Sequence, residues 1–405
     1  MHTPSAIADW VVAAGLAGES ETALLEGFCQ RAIAGGVPIA RAMVIIDTLH
    51  PIYEGRAFRW RRDGSAENTE VLEYGSSSEG EMAESWRRSP FYYLLETGGS
   101  MLRRRLFAGE PADFPAIAEQ QAQGVTDYLA LINRFAASGV IGEMDCVYSH
   151  WVTDQPSGFG DAAVDQLVGL MPSLALAVKC VSLARIAGTL AETYLGRDPG
   201  RRVLAGRIGR GAAERINAVL WYSDLRSFTH ITDHAAPQET IALLNDYAET
   251  VISAIYDHDG DVLKLIGDGV LAIFPCGEDA DAACVAALAA EAALRQGLKK
   301  LNAKRAAAGE PVTEVYLGLH IGEVFYGNIG SRLRLDFTVI GPAVNEVARI
   351  AAMCRSAERE VLLSAAFAVA VTAVGAGSPV SVGRFALRGV ERPTELFTLD
   401  RESSA

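Results

Sequence analysis

The sequence predicts an α+β protein of two domains joined by a long helix. Three observations carry that reading. A chain of 405 residues is too long for one ordinary core. Short β-rich runs alternate with helical periodicity from end to end. From about residue 212 the strands come as hairpins, one of them closed by Gly-Asp-Gly, which predicts a mainly antiparallel sheet with helices packed on it.

The elements follow in order. A helix is expected around 5–34, then the β-rich "ARAMVIIDTL" and the alternating "GRAFRWRRDG", which ends in a turn. "FPAIAEQQAQGVTDYLALINRFAASG" reads as helical to Gly124, with "DYLALI" able to form a strand. "DCVYSHWVT" is β-rich. "SGFGDAAVDQLVGLMPSLALAVKCVSLARIAGTLAETYLG" starts at an N-cap-like Asp161 and continues as one long helix that Pro172 is placed to kink. "GRDPGRRVLAGRIGRG", residues 196–211, is expected to be a linker, though its arginines read equally as a solvated basic loop. The expected domains are 1–185 and 212–405, with a helical and Gly/Arg-rich linker over 186–211.

In the second domain "NAVLWYSDL" is a strand and "PQETIALLNDYAETVISAIYDHDG" an amphipathic helix ending at Gly260. "VLKLI" and "VLAIF" form the hairpin. An Ala-rich helix follows, acidic early and basic late as the macrodipole favours. "VYLGLHIGEVFYGNIG" is expected to give two strands around Gly322. "AVNEVARIAAMC" is a helix, "VLLSAAFAVAVT" a strand and a helix, and "FALRGVERPTELFTL" closes with strands around a turn.

Composition narrows function. The formal charge of −14 excludes a general binder of nucleic-acid polymers or anionic membranes, which needs clustered lysine and arginine. Six cysteines without CxxC spacing read as reduced thiols. The N-terminus lacks a basic n-region. The longest apolar run, "LVGLMPSLALAV", is about 12 residues, short of the roughly 20 that span a bilayer. The expectation is a cytoplasmic protein away from membranes.

Some residues suggest chemistry. Asp224 ends an apolar strand, before "RSFTHIT", where backbone N–H groups are free for phosphate oxygens. Asp268 sits between two glycines. Two carboxylates at strand ends are the hard-oxygen ligands Mg²⁺ prefers, while an N-cap and a plain turn aspartate explain them equally. Lys264, four residues before Asp268 in an apolar run, reads as its salt-bridge partner, and alternation sets Lys264 on the face of Val262 and Ile266. Asn345 and Arg349, at i and i+4, share a helix face, either as a site or as an exposed polar stripe.

Together "YSDLRSFT", "LKLIGDGVLAIF", "DFTVIGPAVNEVAR" and "FALRGVERP" closely resemble the class III nucleotide cyclase catalytic domain over roughly 212–400. The resemblance implies a ferredoxin-like sandwich. Asp224 and Asp268, with the main chain of Leu225, would hold two Mg²⁺ or Mn²⁺ ions. Ser227, Phe228 and Thr229 would offer amides to phosphate. Lys264 and Thr338 would read the purine, Asn345 would orient the ribose, Arg349 would stabilise the α-phosphate in the transition state, and Arg388 would bind phosphate. A lysine donor suits adenine N1 and opposes protonated guanine N1, so the implied reaction is ATP to 3′,5′-cyclic AMP and pyrophosphate. A guanylate cyclase, or a silent nucleotide-sensing or dimerisation module, is the alternative. The resemblance also implies a homodimer with shared sites, one chain giving the aspartates and the other Lys264, Thr338, Asn345 and Arg349. Three positions depart from the pattern: Ser227 for glycine, Pro342 for a polar residue and Arg388 for lysine.

The first domain resembles a GAF-type sensory domain, most clearly in "GFGDAAVDQL". That implies a dimerising regulatory module able to take a small-molecule ligand. His50 and His150 read as structural or solvated in preference to haem ligands.

Overall fold

The computed structural model describes residues 3–64, 71–75, 80–135, 141–142, 144–387 and 393–399. It divides into two compact units, Met1–Leu190 and Ala191–Ala405.

The first unit is built on a six-stranded antiparallel sheet. Its strands are β1 (Arg41–Asp47), β2 (Gly55–Arg61), β3 (Val71–Tyr74), β4 (Met101–Arg104), β5 (Asp127–Arg134) and β6 (Cys146–Thr153), in the order β3-β2-β1-β6-β5-β4. Central strands β5 and β6 are buried on both faces, which is why "DYLALI" and "CVYSHWVT" read as continuous apolar runs. Helices cover both sides. On one face, α1 (Pro4–Leu16), α2 (Glu21–Ala34) and α6 (Asp161–Leu195) share a core that includes Phe28 and Trp151. On the other, α4 (Pro90–Glu96) and α5 (Pro115–Ala122) bury Phe91 and Ile117 beside Tyr128 and Tyr148, and α3 (Gly80–Arg87) precedes them. The single helix expected over 5–34 is two. Gly18 takes φ +75°, and the Ser20 hydroxyl accepts from the N–H of Ala23 to start α2 afresh.

Helix α6 runs 35 residues through Pro172 without ending. It is long and apolar enough to cross a membrane, unlike the 12-residue run singled out in the sequence. Val164, Leu167, Leu170, Met171, Leu174, Val178 and Ile186 are nonetheless buried in the first core. Asp161 is its first helical residue and pairs with Arg103 at 3.3 Å.

The second unit carries an eight-stranded sheet. Its strands are β7 (Ala213–Leu225), β8 (Asp261–Ile266), β9 (Gly269–Pro275), β10 (Val315–Gly330), β11 (Leu335–Ile340), β12 (Val361–Ser364), β13 (Pro379–Phe385) and β14 (Thr394–Leu399). The order is β13-β14-β12-β10-β7-β9-β8, with β11 paired to the end of β10. Every described pairing is antiparallel except β10 with β12. Helices α9 (Pro237–Tyr256), α10 (Ala280–Ala307) and α12 (Ala365–Ala373) bury one face. On the opposite face, α11 (Pro342–Ala357) and β11 enclose Leu220, Leu263, Leu271, Val324 and Phe337. The short α8 (Phe228–His234) follows β7.

Three expectations change here. Gly322 does not divide two strands. It stays in the β10 ladder opposite Ala218, and a Cβ there would stand 2.9 Å from the Ala343 Cβ, so the glycine serves close approach of α11. The second strand of that region is β11. The expected linker holds α7 (Arg197–Leu204), whose Asp198 and Arg202 are paired within the helix and to the strands beside it. Asp198 takes Arg202 at 2.5 Å and a hydrogen bond from the Tyr326 hydroxyl at 2.8 Å, and Arg202 also pairs with Glu214. Finally, strand alternation fails in β8. Val262 pairs with Ala272 but Lys264 pairs with Leu271, so Leu263 is an extra, bulged residue. Val262 then packs in the core of α9 and α10, while Lys264 turns to the opposite face with Ile266.

Candidate active site

Two non-adjacent segments meet at the end of the central strand. β7 pairs with β9 in a register that ends at Ser223 opposite Val270. Continuing it two residues sets Leu225 opposite Asp268, the last residue of the two-residue turn between β8 and β9. That turn needs Gly267 at φ +65°. It also needs Gly269, where a Cβ would meet the Ser223 carbonyl at 3.0 Å. The Leu225 N–H lies between two carboxylates, 3.2 Å from Asp224 Oδ1 and 3.3 Å from Asp268 Oδ2. Burial, a hydrogen bond with Asp268 and the Asp268 charge push the Asp224 carboxyl up to about 7. A half-buried carboxylate pair without a cation is costly, and oxygen ligands of this kind suit Mg²⁺ or Mn²⁺. The donor set therefore fits divalent ions, and Lys264, the expected salt-bridge partner of Asp268, pairs elsewhere.

Asp224, Leu225 and Asp268 line a cleft of about 640 Å³ together with Ser227, Phe228 and Thr229. Ser227 caps α8 at φ 57°, ψ 28°, the left-handed conformation that the glycine usual in this pattern would adopt freely. The turn is thus kept despite the substitution. Pro342 is equally compatible: it is the first residue of α11, where its missing N–H leaves nothing unpaired.

Lys264, Thr338, Asn345 and Arg349 do not line that cleft. Lys264 forms an ion pair with Asp336 of β11. Thr338 follows two residues later on β11, opposite Gly327 of β10. Asn345 is exposed and Arg349 half-buried on α11, and neither has a side-chain partner among the described residues. Arg388 lies outside the described residues. Sequence reasoning missed Asp336, although its signal was present: it is two residues before Thr338, so strand alternation puts both on one face. It also missed Tyr316 and Arg355, which line the cleft from β10 and α11. No spacing rule connects those residues to Asp224.

In the first unit His50 stacks on Tyr53 at 4.7 Å and accepts from the Ile52 N–H. His150 lies 5.2 Å from the Tyr128 ring, and burial lowers its pKa to about 4. All six cysteines are free, and Cys180 alone is exposed.

Residues 212–398 match the family model of the adenylate and guanylate cyclase catalytic domain. Adenylate cyclase 1 of Rhizobium meliloti is 31% identical over 178 residues, covering 43% of this chain and 26% of that protein. The adenylate cyclase of Anabaena cylindrica is 33% identical over 158 residues, covering 38% of this chain and 30% of that protein. The chain thus spans less than a third of the length of either relative. Among solved structures, the adenylyl cyclase CyaB from P. aeruginosa is 26% identical, with a TM-score of 0.43 over 46% of this chain and 95% of that one.

Proposed function

We propose that the second unit is an adenylate cyclase, converting ATP to 3′,5′-cyclic AMP and pyrophosphate at sites shared across a homodimer. One observation carries this reading: Asp224 and Asp268 meet over a single N–H in a cleft that none of Lys264, Thr338, Asn345 and Arg349 reaches. A chain holding both sets apart suits a site completed by a second copy.

When bound, two Mg²⁺ or Mn²⁺ ions on Asp224, Asp268 and the main chain of Leu225 would activate the ribose 3′-OH and hold triphosphate oxygens. The protein's residues supply the rest. The turn at Ser227, Phe228 and Thr229 faces the phosphates. Lys264 donates to adenine N1 and Thr338 to or from the 6-amino edge. Asp336 beside Lys264 directs the lysine side chain, and a lysine donor opposes guanine, whose N1 is itself a donor. Asn345 orients the ribose. Arg349 has its donors free for the α-phosphate as charge develops there. Arg388 is assigned to phosphate from the motif alone.

The first unit is proposed to be a GAF-like regulatory domain, supported by its six-stranded antiparallel sheet between two helical layers and by α6, which carries the chain onward. A ligand there would act by changing helix packing and so the alignment of half-sites. A cytoplasmic location is proposed from the free cysteines. The deciding experiment compares ATP and GTP turnover with Mn²⁺ on one preparation. Clear preference for ATP is expected, and equal or greater turnover of GTP refutes the substrate assignment.

A further inference from the structure

We infer that Arg355 binds the terminal phosphates of the nucleotide and then the departing pyrophosphate, an inference that rests on the cyclase reading above. Arg355 is in the last turn of α11 and lines the same cleft as Asp224 and Asp268. It is the one arginine or lysine among the described residues that line it. Two other arginines of this unit, Arg295 and Arg305, are committed. Arg295 is held by Glu291 and the carbonyls of Val315 and Glu360, and Arg305 by Asp246, Glu310 and the Pro311 carbonyl. Arg355 is exposed and has no carboxylate partner among the described residues, so its donors remain available.

Charge balance points the same way. Asp233 joins Asp224 and Asp268 in the cleft wall. Divalent ions there are shared between aspartates and phosphates, which leaves a bound triphosphate net negative. A planar guanidinium can take two oxygens of one phosphate at once. α11 would then serve two sites: Arg355 in the cleft of its own chain, Asn345 and Arg349 in that of the partner.

The test titrates the full-length protein in Mn²⁺ with inorganic pyrophosphate by calorimetry, and measures ATP kinetics in parallel. Arg355→Ala is expected to weaken pyrophosphate about ten-fold and raise KM for ATP by a similar factor, with kcat changed little. Arg355→Lys should recover part of the loss. Pyrophosphate affinity unchanged in Arg355→Ala, or absent in the parent protein, overturns the inference. If the parent makes no cyclic nucleotide, the cyclase reading fails, while the pyrophosphate titration still decides the role of Arg355.

Discussion

Asp127 and Glu21 of the first unit and Asp224 of the second, all carboxylates drawn out of water, are treated in opposite ways. In the first, Asp127 is fully buried and saturated: Arg103 reaches it at 2.7 Å and the Phe159 N–H donates at 3.0 Å. Glu21 is similar. Burial alone would raise its pKa, but the hydrogen bond and charge of Arg185, with Arg56, outweigh that and hold the carboxyl below its ordinary value. In the second unit Asp224 has a second carboxylate for a neighbour and one shared N–H, and its pKa rises. A folded chain compensates the charges it needs for structure. Charges left uncompensated at a cleft are reserved for something that binds.

The comparison breaks most visibly at Asp224. Asp224→Ala should lower cyclase activity more than about a hundred-fold while leaving the fold intact, as read by product formation and by thermal melting. Loss of the fold instead would make Asp224 structural, like Asp127. Mixing Lys264→Ala with Asp268→Ala chains should restore part of the activity, because a mixed dimer regains one complete site.

Next in size is Asp127→Ala, which removes a fully buried carboxylate and leaves the part-buried Arg103 guanidinium with Asp161 and the Phe159 carbonyl alone. It should cost about 3–5 kcal/mol of the first unit's stability in denaturant unfolding. A cost near zero would show that the Arg103 network is dispensable.

A smaller effect is expected at His150. Burial and the charges of Arg59 and Arg41 depress its pKa to about 4. The folded state therefore favours the neutral ring. Its stabilising effect is fully present above the unfolded pKa of about 6.5 and is lost as pH falls toward 4. His150→Gln should remove roughly 1–2 kcal/mol of the stability change between pH 6 and pH 4.5. An identical pH profile in the variant would refute the burial argument.

The smallest is Ser227→Gly. Relief of the left-handed strain should raise stability by about 1 kcal/mol or less, partly offset by the freedom glycine adds to the unfolded chain. A loss of stability would mean the serine side chain makes a contact that outweighs its backbone strain.

Much was legible without coordinates because it depends on neighbours in the chain. The Gly-Asp-Gly turn between β8 and β9, the helical stripe of α11 with Asn345 and Arg349 four residues apart, and the short apolar runs of β5 and β6 all follow from local preference and period. So did the residues of the cleft that lie within one motif, Asp224 to Thr229. Other features were decided by pairing between distant segments. The β7–β9 register brings Leu225 to Asp268, the bulge at Leu263 turns Lys264 from the face of Val262 to that of Asp336, and the packing of α11 explains Gly322. Arg355 reaches the cleft only because a helix far along the chain ends beside β10, next to Tyr316. Sequence alone determined which segments become strands, turns and helices and which residues carry charge, since those follow from short-range sterics and periodicity. The tertiary structure decided which charges are neutralised and which stand open. Neutralisation depends on what lies within a few ångströms in space, and that distance is set by strand register and helix packing between residues far apart in the chain.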